Sequence, residues 1–297
     1  SSATELMHGL QRAGVSDVDD SSLARALYSS DASLYRVAPL AVVRPRNIDD
    51  VLATMQVCRD LGIPITSRGA GTSIAGNAIG PGVVLDFSKH MNVIHSVNPE
   101  SRTALVDPGV VLSSLQQASA PHGLRFGPDP STHNRATLGG MIGNNACGSR
   151  ALGYGRTSDN VASLKVALAD GSVHELSRAQ RVEDYFTPLS EIANSHLGII
   201  RTEFGTFSRQ VSGYAMEHLL PERNFDVTRF LVGSEGTLAV VLGAELDIVQ
   251  APVHTVLVVL GYPDMPTAAE AVPALLVHKP IAIEGIDRRI TDVVEAR

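Results

Sequence analysis

Residues 136–149, with the sequence ATLGGMIGNNACGS, are the stretch that decides how this chain folds. The stretch contains four glycines and two adjacent asparagines, but no charged side chain and no aromatic ring. Small residues allow a backbone to lie flat against a planar ligand and to offer it N–H and C=O groups. Asn144 and Asn145 tolerate the left-handed conformations that glycine otherwise supplies. We therefore predict a flat ligand-binding surface, the alternative being a long loop packed on the core.

A second glycine-rich stretch, SRGAGTSIAGN at residues 67–77, lies between two predicted strands. Its backbone amides can converge on a phosphate, while Thr72 and Ser73 add hydroxyl donors and Arg68 adds positive charge. It is not a Walker loop, because no Gly-Lys-Ser/Thr sequence follows. It also leaves too few residues before the next strand, at Val83, for the helix of a Rossmann fingerprint. The prediction is an anion-binding loop between two strands, and the alternative is a flexible hairpin loop.

A third segment, GSEGTL at residues 233–238, predicts a tight turn between apolar strands at 230–233 and 237–248. Taken alone this is only a turn. Together with the other two stretches it predicts a third contact to one ligand.

The composition excludes several classes of protein. The formal charge is −7, from 24 basic and 31 acidic residues, and no basic run favours nucleic acid. The two cysteines, Cys58 and Cys147, cannot form a disulfide framework, and no Cys-x-x-Cys pair predicts a metal site. No apolar stretch reaches the roughly 18–20 residues of a membrane span. The expectation is a cytoplasmic protein, with peripheral membrane association left open.

Hydrophobic periodicity predicts a mixture of helices and strands. Residues 1–37 are expected to be helical, with Leu23, Leu27 and Leu34 as core contacts. Residues 179–228 are expected to be helices and loops. Later residues predict a βαβ-like unit, with strands at 256–260 and 281–284 around a helix at 265–278.

The glycine-rich segments, in this order and spacing, resemble the FAD-binding domain of the vanillyl-alcohol oxidase / p-cresol methylhydroxylase flavoprotein family. Within it they are most similar to the D-lactate, glycolate and D-2-hydroxyglutarate dehydrogenase branch. The resemblance covers about residues 40–250. The motifs that carry it are RGAGTSIAGNA (68–78), PDPST (128–132), ATLGGMIGNNACGSRALGYGRTSDNV (136–161), SGYAMEHLL (212–220) and VGSEGTLAVV (232–241).

The resemblance implies an α+β fold, namely a two-subdomain PCMH-type FAD-binding fold followed by the start of an α/β, ferredoxin-like cap domain. The expected boundaries are an N-terminal helical segment at 1–39, the FAD-binding domain at 40–250, and the beginning of a truncated substrate or cap domain at 251–297.

The resemblance also implies three groups of FAD-binding residues. The first group, at the diphosphate, is Arg68, Gly69, Ala70, Gly71, Thr72, Ser73, Gly76 and Asn77. The second, along the flavin, is Pro128, Asp129, Ser131, Thr132, Thr137, Leu138, Gly139, Gly140, Ile142, Gly143, Asn144, Asn145, Cys147, Gly148, Ser149, Tyr154 and Gly155. The third, near the adenine or ribose, is Glu235, Gly236 and Val241. Non-covalent binding is expected, although His133 and Cys147 are the candidates for covalent attachment.

The function implied is a dehydrogenase that oxidises a small D-2-hydroxy acid by hydride transfer to flavin N5. In the branch it resembles, the metal ligands and the substrate arginine lie C-terminal to the flavin domain. The catalytic base is therefore left unknown, no metal ligand is predicted here, and any metal or iron–sulfur cluster is expected in other parts. The electron acceptor is not identified. Two alternatives stay open: a non-catalytic flavin-binding or electron-relay module, and a flavin-dependent reductase of a nucleotide-sugar.

Overall fold

The computed structural model describes residues 2–178, 186–207 and 209–296, and these form two β-sheets, each with its own hydrophobic core. The helices are α1 (Ser2–Arg12), α2 (Ser22–Leu27), α3 (Ile48–Asp60), α4 (Leu112–Ser119), α5 (Leu138–Asn144), α6 (Ala151–Tyr154), α7 (Thr187–Ser195), α8 (Leu197–Glu203), α9 (Val227–Leu231), α10 (Met265–Leu276) and α11 (Arg288–Glu295). Short 3-10 helices lie at Ala120–His122, Thr157–Asn160, Met216–Leu219 and Pro221–Arg223.

The strands are β1 (Val18–Asp19), β2 (Ala41–Val43), β3 (Ile65–Arg68), β4 (Val83–Asp86), β5 (Ile94–Asn98), β6 (Thr103–Val106), β7 (Leu124–Phe126), β8 (Val161–Ala167), β9 (Val173–Ser177) and β10 (Val240–Gln250). The first sheet has the order β1-β2-β4-β3, with parallel pairs β2–β4 and β3–β4 and an antiparallel edge at β1. The second sheet is antiparallel, in the order β5-β6-β10-β8-β9, with β7 also paired to β10.

The first core forms because α1 and α3 cover one face of the parallel strands. Leu6 and Leu10 are four residues apart on α1 and fully buried. Val51 and Met55 are four residues apart on α3 and are 0% and 7% exposed. Residues four apart lie on one face of a helix, so each helix turns an apolar stripe to the sheet. The side chain of Asn47 accepts the amide of Asp50 at 2.9 Å and fixes the start of α3.

Strand β10 joins the two cores. Alternate residues along its length are buried, as expected for a strand with period two. Val240 and Leu242 pack in the first core, whereas Ala244, Leu246 and Ile248 pack in the second. One continuous strand therefore fixes how the two halves of the domain lie relative to each other, and it begins directly after the predicted GSEG turn.

The structure confirms the α+β class and most of the predicted elements, but the predicted core contacts near the N-terminus are wrong. The side chains of Leu23, Leu27 and Leu34 are 68%, 63% and 102% exposed. Helix α2 has only six residues and buries Ala24, which leaves its leucines facing outward. The apolar stripe of this region lies instead on α1.

Three predicted strands are also wrong. Residues 230–233 belong to the end of α9 and the residues after it, because the Asp226 side chain caps that helix at the amide of Arg229 (2.9 Å). Residues 256–260 and 281–284 form no strand in the described structure, although α10 between them does form. Both segments are largely exposed, without a neighbouring strand to complete their hydrogen bonds. The prediction for 179–228 falls partly on residues 179–185 and 208, which lie outside the described residues.

The C-terminal segment contacts the rest of the chain at α6, where the amide of Gly153 donates to the carbonyl of Ile281 at 3.0 Å. The domain boundaries at residues 39 and 250 stay predictions. In the part of the chain that the structure describes, no helix is both long and apolar enough to cross a membrane.

His218 gives the fold a dependence on pH. Its side chain is 2% exposed, and neither ring nitrogen has a hydrogen-bond partner among the described residues. Burial, and then the positive charge of Arg229, lower the pKa of His218 from 6.5 to about 4. Because the folded protein binds this proton less readily than the unfolded chain, stability is complete above pH 6.5 and is lost as the pH falls toward 4.

We expect the free energy of unfolding to decrease by about 3 kcal/mol between pH 6.5 and 4 on account of His218. Denaturant unfolding of the protein and of a His218→Leu variant across this range measures the difference. The variant should show a flatter pH dependence, whereas His8→Gln, at an exposed histidine, should follow the parent. Equal slopes for the parent and His218→Leu would contradict the assignment.

Candidate functional site

The loop after β3, which we call the amide loop (residues 69–78), presents a row of unpaired backbone donors. The amides of residues 69–74 have no acceptor among the described residues, whereas those of Ala75, Asn77 and Ala78 donate to side-chain oxygens. Six consecutive amides without a protein acceptor are available to water or to an anion, and the small residues of the loop let them converge on one ligand. No helix lies between β3 and β4, as predicted.

The start of α5 lies directly against this loop. A Cβ added to Gly69 would lie 1.9 Å from Oγ1 of Thr137, so only glycine allows this approach. Thr137 caps α5 by accepting the amide of Gly140 at 3.2 Å. The amide loop and the stretch 136–149 are therefore in contact.

Part of the stretch 136–149 is helical, which corrects the prediction of a flat loop. Residues Leu138–Asn144 form α5 in spite of their three glycines. The helix forms because Thr137 caps its start, because Leu138, Met141 and Ile142 are buried in the second core, and because Asn145 ends it in the left-handed conformation with φ 51°. Residues 145–150 after the helix remain irregular.

The GSEG turn closes the arrangement. The amide of Glu235 donates to the carbonyl of Gly143 at 2.9 Å, and that of Gly233 donates to Ile142 at 2.8 Å. The side-chain amide of Asn77, in the amide loop, donates to the Glu235 carboxylate. The three segments singled out in the sequence thus contact one another in pairs, over more than 150 residues of chain.

The segment 128–132 lies against the end of the same stretch. A Cβ at Gly148 would lie 2.0 Å from the carbonyl oxygen of Asp129, a backbone contact that leaves no room for any side chain. The Asp129 carboxylate is held by Arg125 at 3.2 Å and Arg150 at 3.4 Å. The amides of residues 147–150 have no acceptor in the described residues, which makes this a second row of free donors.

Two buried asparagines support this second row from behind. Oδ1 of Asn145 accepts the amide of Ser158 at 3.0 Å. Nδ2 of Asn160 donates to the carbonyls of Tyr154 and Arg156, each at 2.8 Å. These hydrogen bonds fix the backbone around Gly155.

Burial divides the residues predicted from the sequence. The exposed ones are Ala70, Ser131, Gly140, Asn144, Ser149, Glu235 and Gly236, while Pro128, Thr137, Leu138, Ile142 and Asn145 are buried behind them. The remaining predicted residues are half-buried: Arg68, Gly69, Gly71, Thr72, Ser73, Gly76, Asn77, Asp129, Thr132, Gly139, Gly143, Cys147, Gly148, Tyr154, Gly155 and Val241. The buried members pack in the core, so any contact they make with a ligand has to come from the backbone.

Several side chains near the site have partners of their own. Sγ of Cys147 accepts a hydrogen bond from Arg209 at 2.8 Å, and the guanidinium of Arg68 donates to two carbonyls, of Ser30 and Ala78, at 3.0 Å each. His133 is exposed in its loop. Across the described residues, no group of three or more His, Cys, Asp or Glu side chains is placed to hold a metal ion.

Residues 28–36 contact the amide loop but were not among the predicted site residues. The sequence feature that could have identified them is the polar run Ser29-Ser30-Asp31-Ala32-Ser33 before β2. It is a weak signal, because the run has no glycine and no hydrophobic periodicity.

Comparison with known proteins assigns a family to this arrangement. Residues 39–177 match the family model of the FAD binding domain. The chain is 34% identical to D-2-hydroxyglutarate dehydrogenase of Pseudomonas putida, over 96% of this chain and 30% of that protein. It is 34% identical to glycolate oxidase subunit GlcD of Bacillus subtilis, over 96% of this chain and 54% of that subunit. It is 31% identical to D-lactate dehydrogenase of Archaeoglobus fulgidus, over 90% of this chain and 53% of that protein.

Among solved structures, the chain resembles alkyldihydroxyacetonephosphate synthase with a TM-score of 0.62 and 20% identity, over 84% of this chain and 44% of that one. This likeness shows the fold. The chain spans between about a third and about half of the length of these relatives.

Gly148→Ala is expected to destabilise the protein by about 1–3 kcal/mol, because the new methyl group overlaps the backbone of Asp129. Gly198→Ala is the matched control, since nothing lies within 4 Å of a Cβ at that helical position. Chemical denaturation measures both variants. A Gly148→Ala protein as stable as the Gly198→Ala protein would show that residues 129 and 148 are not in contact.

Proposed function

Residues 39–177 belong to the FAD binding domain family, and from this premise we propose that the chain is the FAD-holding part of an oxidoreductase that oxidises a small 2-hydroxy acid. The relatives named D-2-hydroxyglutarate dehydrogenase, glycolate oxidase subunit and D-lactate dehydrogenase support the substrate class. When bound, FAD supplies a hydride acceptor at N5 for the carbon that carries the substrate hydroxyl.

The observation that carries the proposal is the row of free amides at residues 69–74. A diphosphate accepts several hydrogen bonds at once, and backbone donors fixed in a loop bind it without the entropy of long side chains. The net charge of −7 does not attract an anion, so local geometry has to do so. In this proposal Gly69, Ala70, Gly71, Thr72 and Ser73 hold the diphosphate, with Gly76 and Asn77 at the rim.

The second row of amides, at residues 147–150, supports placing the flavin ring system there. The edge of an isoalloxazine carries carbonyl oxygens and ring nitrogens that accept such donors. Gly139, Gly140, Gly143 and Asn144 expose a surface of α5 with no large side chain. Glu235 and Gly236 then lie between the two rows, because Glu235 contacts both Asn77 and Gly143. That position suits the ribityl chain, which joins the flavin ring to the diphosphate in FAD, so the expected contact of Glu235 and Gly236 with the ribose or adenine stays a prediction.

Proton transfer is assigned to no residue of this chain. Tyr214 and Thr237 share a hydrogen bond of 2.8 Å beside the GSEG turn, which gives Tyr214 a structural partner. The proposal therefore places cofactor binding in residues 40–250 and leaves the substrate-binding groups to segments outside them. Free Cys58 and Cys147 support a reducing, cytoplasmic setting.

FAD should bind more tightly than FMN, by at least ~10-fold, because FMN lacks the diphosphate that the free amides serve. Titration of the apoprotein with each flavin, followed by quenching of flavin fluorescence, gives the two dissociation constants. Riboflavin serves as a control with no phosphate. If a folded protein stays colourless in excess FAD, the proposed function fails.

The loaded protein should be bleached under anaerobic conditions by one of D-2-hydroxyglutarate, D-lactate or glycolate. Reduction by dithionite is the positive control for a competent flavin. A yellow protein reduced by dithionite and inert to every hydroxy acid would favour a flavin-binding module without chemistry of its own. Reduction by NADPH instead would favour a nucleotide-sugar reductase.

A further inference from the structure

The amide loop is held from outside by residues 28–35, a segment that precedes the matched FAD binding domain. Three backbone or side-chain groups of this segment reach it. The amide of Ala32 donates to the carbonyl of Gly71 at 3.1 Å. The carboxylate of Asp31 accepts the amide of Ala78 at 3.4 Å. The ring of Tyr35 lies against Gly76.

Arg68 ties the two ends of the amide loop to the same segment. Its Nη1 donates to the carbonyl of Ala78, at the far end of the loop, and to that of Ser30, both at 3.0 Å. The Nη1 donors of the guanidinium are therefore engaged with backbone oxygens, whereas Nη2 lies against Gly71 of the loop and has no acceptor among the described residues. A side chain used in this way shapes the loop, and its charge is compensated by carbonyl dipoles before any ligand arrives.

Tyr28 fixes Arg68 in that position. The guanidinium carbon of Arg68 lies 5.1 Å from the centre of the Tyr28 ring, and that of Arg44 lies 5.7 Å from it. The phenol donates to the buried Asp86 at 2.5 Å. Burial, and then this hydrogen bond, raise the pKa of Tyr28, so the phenol remains protonated and keeps donating.

Asp31 carries a charge of the wrong sign for a phosphate ligand. Burial opposes its ionisation, but hydrogen bonds from Ser33 and Ala78 nonetheless hold its pKa below the usual value. A carboxylate beside an anion site weakens anion binding by repulsion, unless it acts by holding the backbone. Its position at the amide of Ala78 fits the second role.

We propose that residues 28–35 form a brace that keeps the amide loop open for a diphosphate, with Asp31, Tyr28 and Arg68 as positioning residues. Arg68 then acts through the shape of the loop and not through a charge contact with the ligand. This inference rests on the proposed function, because it concerns the same diphosphate site. It extends that site to a segment outside the FAD binding domain match.

Asp31→Ala distinguishes the brace from simple electrostatics by the sign of its effect. Loss of a negative charge near the site should tighten FAD binding if charge alone matters. The brace predicts the opposite, an increase of about 10-fold in the dissociation constant of FAD, with riboflavin binding unchanged. Asp20→Ala is the matched control, since it removes the same charge from an exposed aspartate near the N-terminus. Binding of FAD to Asp31→Ala that is equal to or tighter than that of the parent overturns the proposal.

The variants Arg68→Lys and Arg68→Ala test independently whether Arg68 shapes the loop. A lysine keeps the charge but loses the planar group that lies over the Tyr28 ring, so both variants should weaken FAD binding to a similar extent. The dependence on salt should match that of the parent, since no charge contact with the ligand is lost. Near-parental affinity in Arg68→Lys, with a shallower salt dependence in Arg68→Ala, would assign Arg68 to the diphosphate instead. A parent that binds no FAD refutes the proposed function, whereas a parent that binds it with unaffected variants refutes only the brace.

Discussion

The contact between Gly69 and Thr137 is the constraint on which the rest of the site depends. Gly69 follows a strand of the first sheet, and Thr137 starts a helix of the second core. With a Cβ-to-Oγ1 distance of 1.9 Å, a side chain at residue 69 would displace the Thr137 side chain that caps α5. The amide loop would then lose its position relative to residues 145–150, and one ligand could no longer reach both rows of free amides. The Thr137 side chain cannot turn away without cost, because its Oγ1 also caps α5 by accepting the amide of Gly140 at 3.2 Å.

Free amides are costly to keep in a folded protein. Each unpaired N–H that is removed from water loses a hydrogen bond, so a loop with six of them tends to rearrange until the donors find partners. Three other polar groups of the amide loop have partners that hold its shape: Gly71 O accepts from Ala32, Ala78 N donates to Asp31, and Ala78 O accepts from Arg68. The hydrogen bonds of Gly71 and Ala78 thus hold the loop in a shape in which the amides of residues 69–74 have no acceptor among the described residues. The same logic applies at residues 147–150, where Asn145 and Asn160 hold the neighbouring backbone.

The glycine-rich segments could be found from the sequence because their composition is local information. Runs of small residues with no charge mark backbone that approaches something closely, whatever the rest of the fold does. The helical state of Leu138–Asn144 could not be found in this way, since it depends on Thr137 as a cap and on three side chains buried by distant strands. For the same reason the exposed Leu23, Leu27 and Leu34 were predicted as core residues. An apolar residue is buried only if a partner surface exists, and the local pattern does not say where that surface lies. The contacts of Asp31 with residue 78 and of Tyr28 with residue 86 are also long-range. The spacing of polar residues in the sequence does not predict them.

The division between cofactor and substrate follows from which part of the relatives is shared. Proteins named for 2-hydroxyglutarate, glycolate and lactate match this chain at similar identities, from 31% to 34%, over at least 90% of its length. A region that all three proteins share is expected to serve a property that all three share. Among the described residues of this region, most groups that face the site are backbone amides, glycines and amide side chains, which suit a dinucleotide. Arg68, Arg125 and Arg150 are engaged with carbonyls or with Asp129. In the proposed function, discrimination among hydroxy acids comes from groups that approach the flavin from outside this surface, while the surface itself holds the flavin.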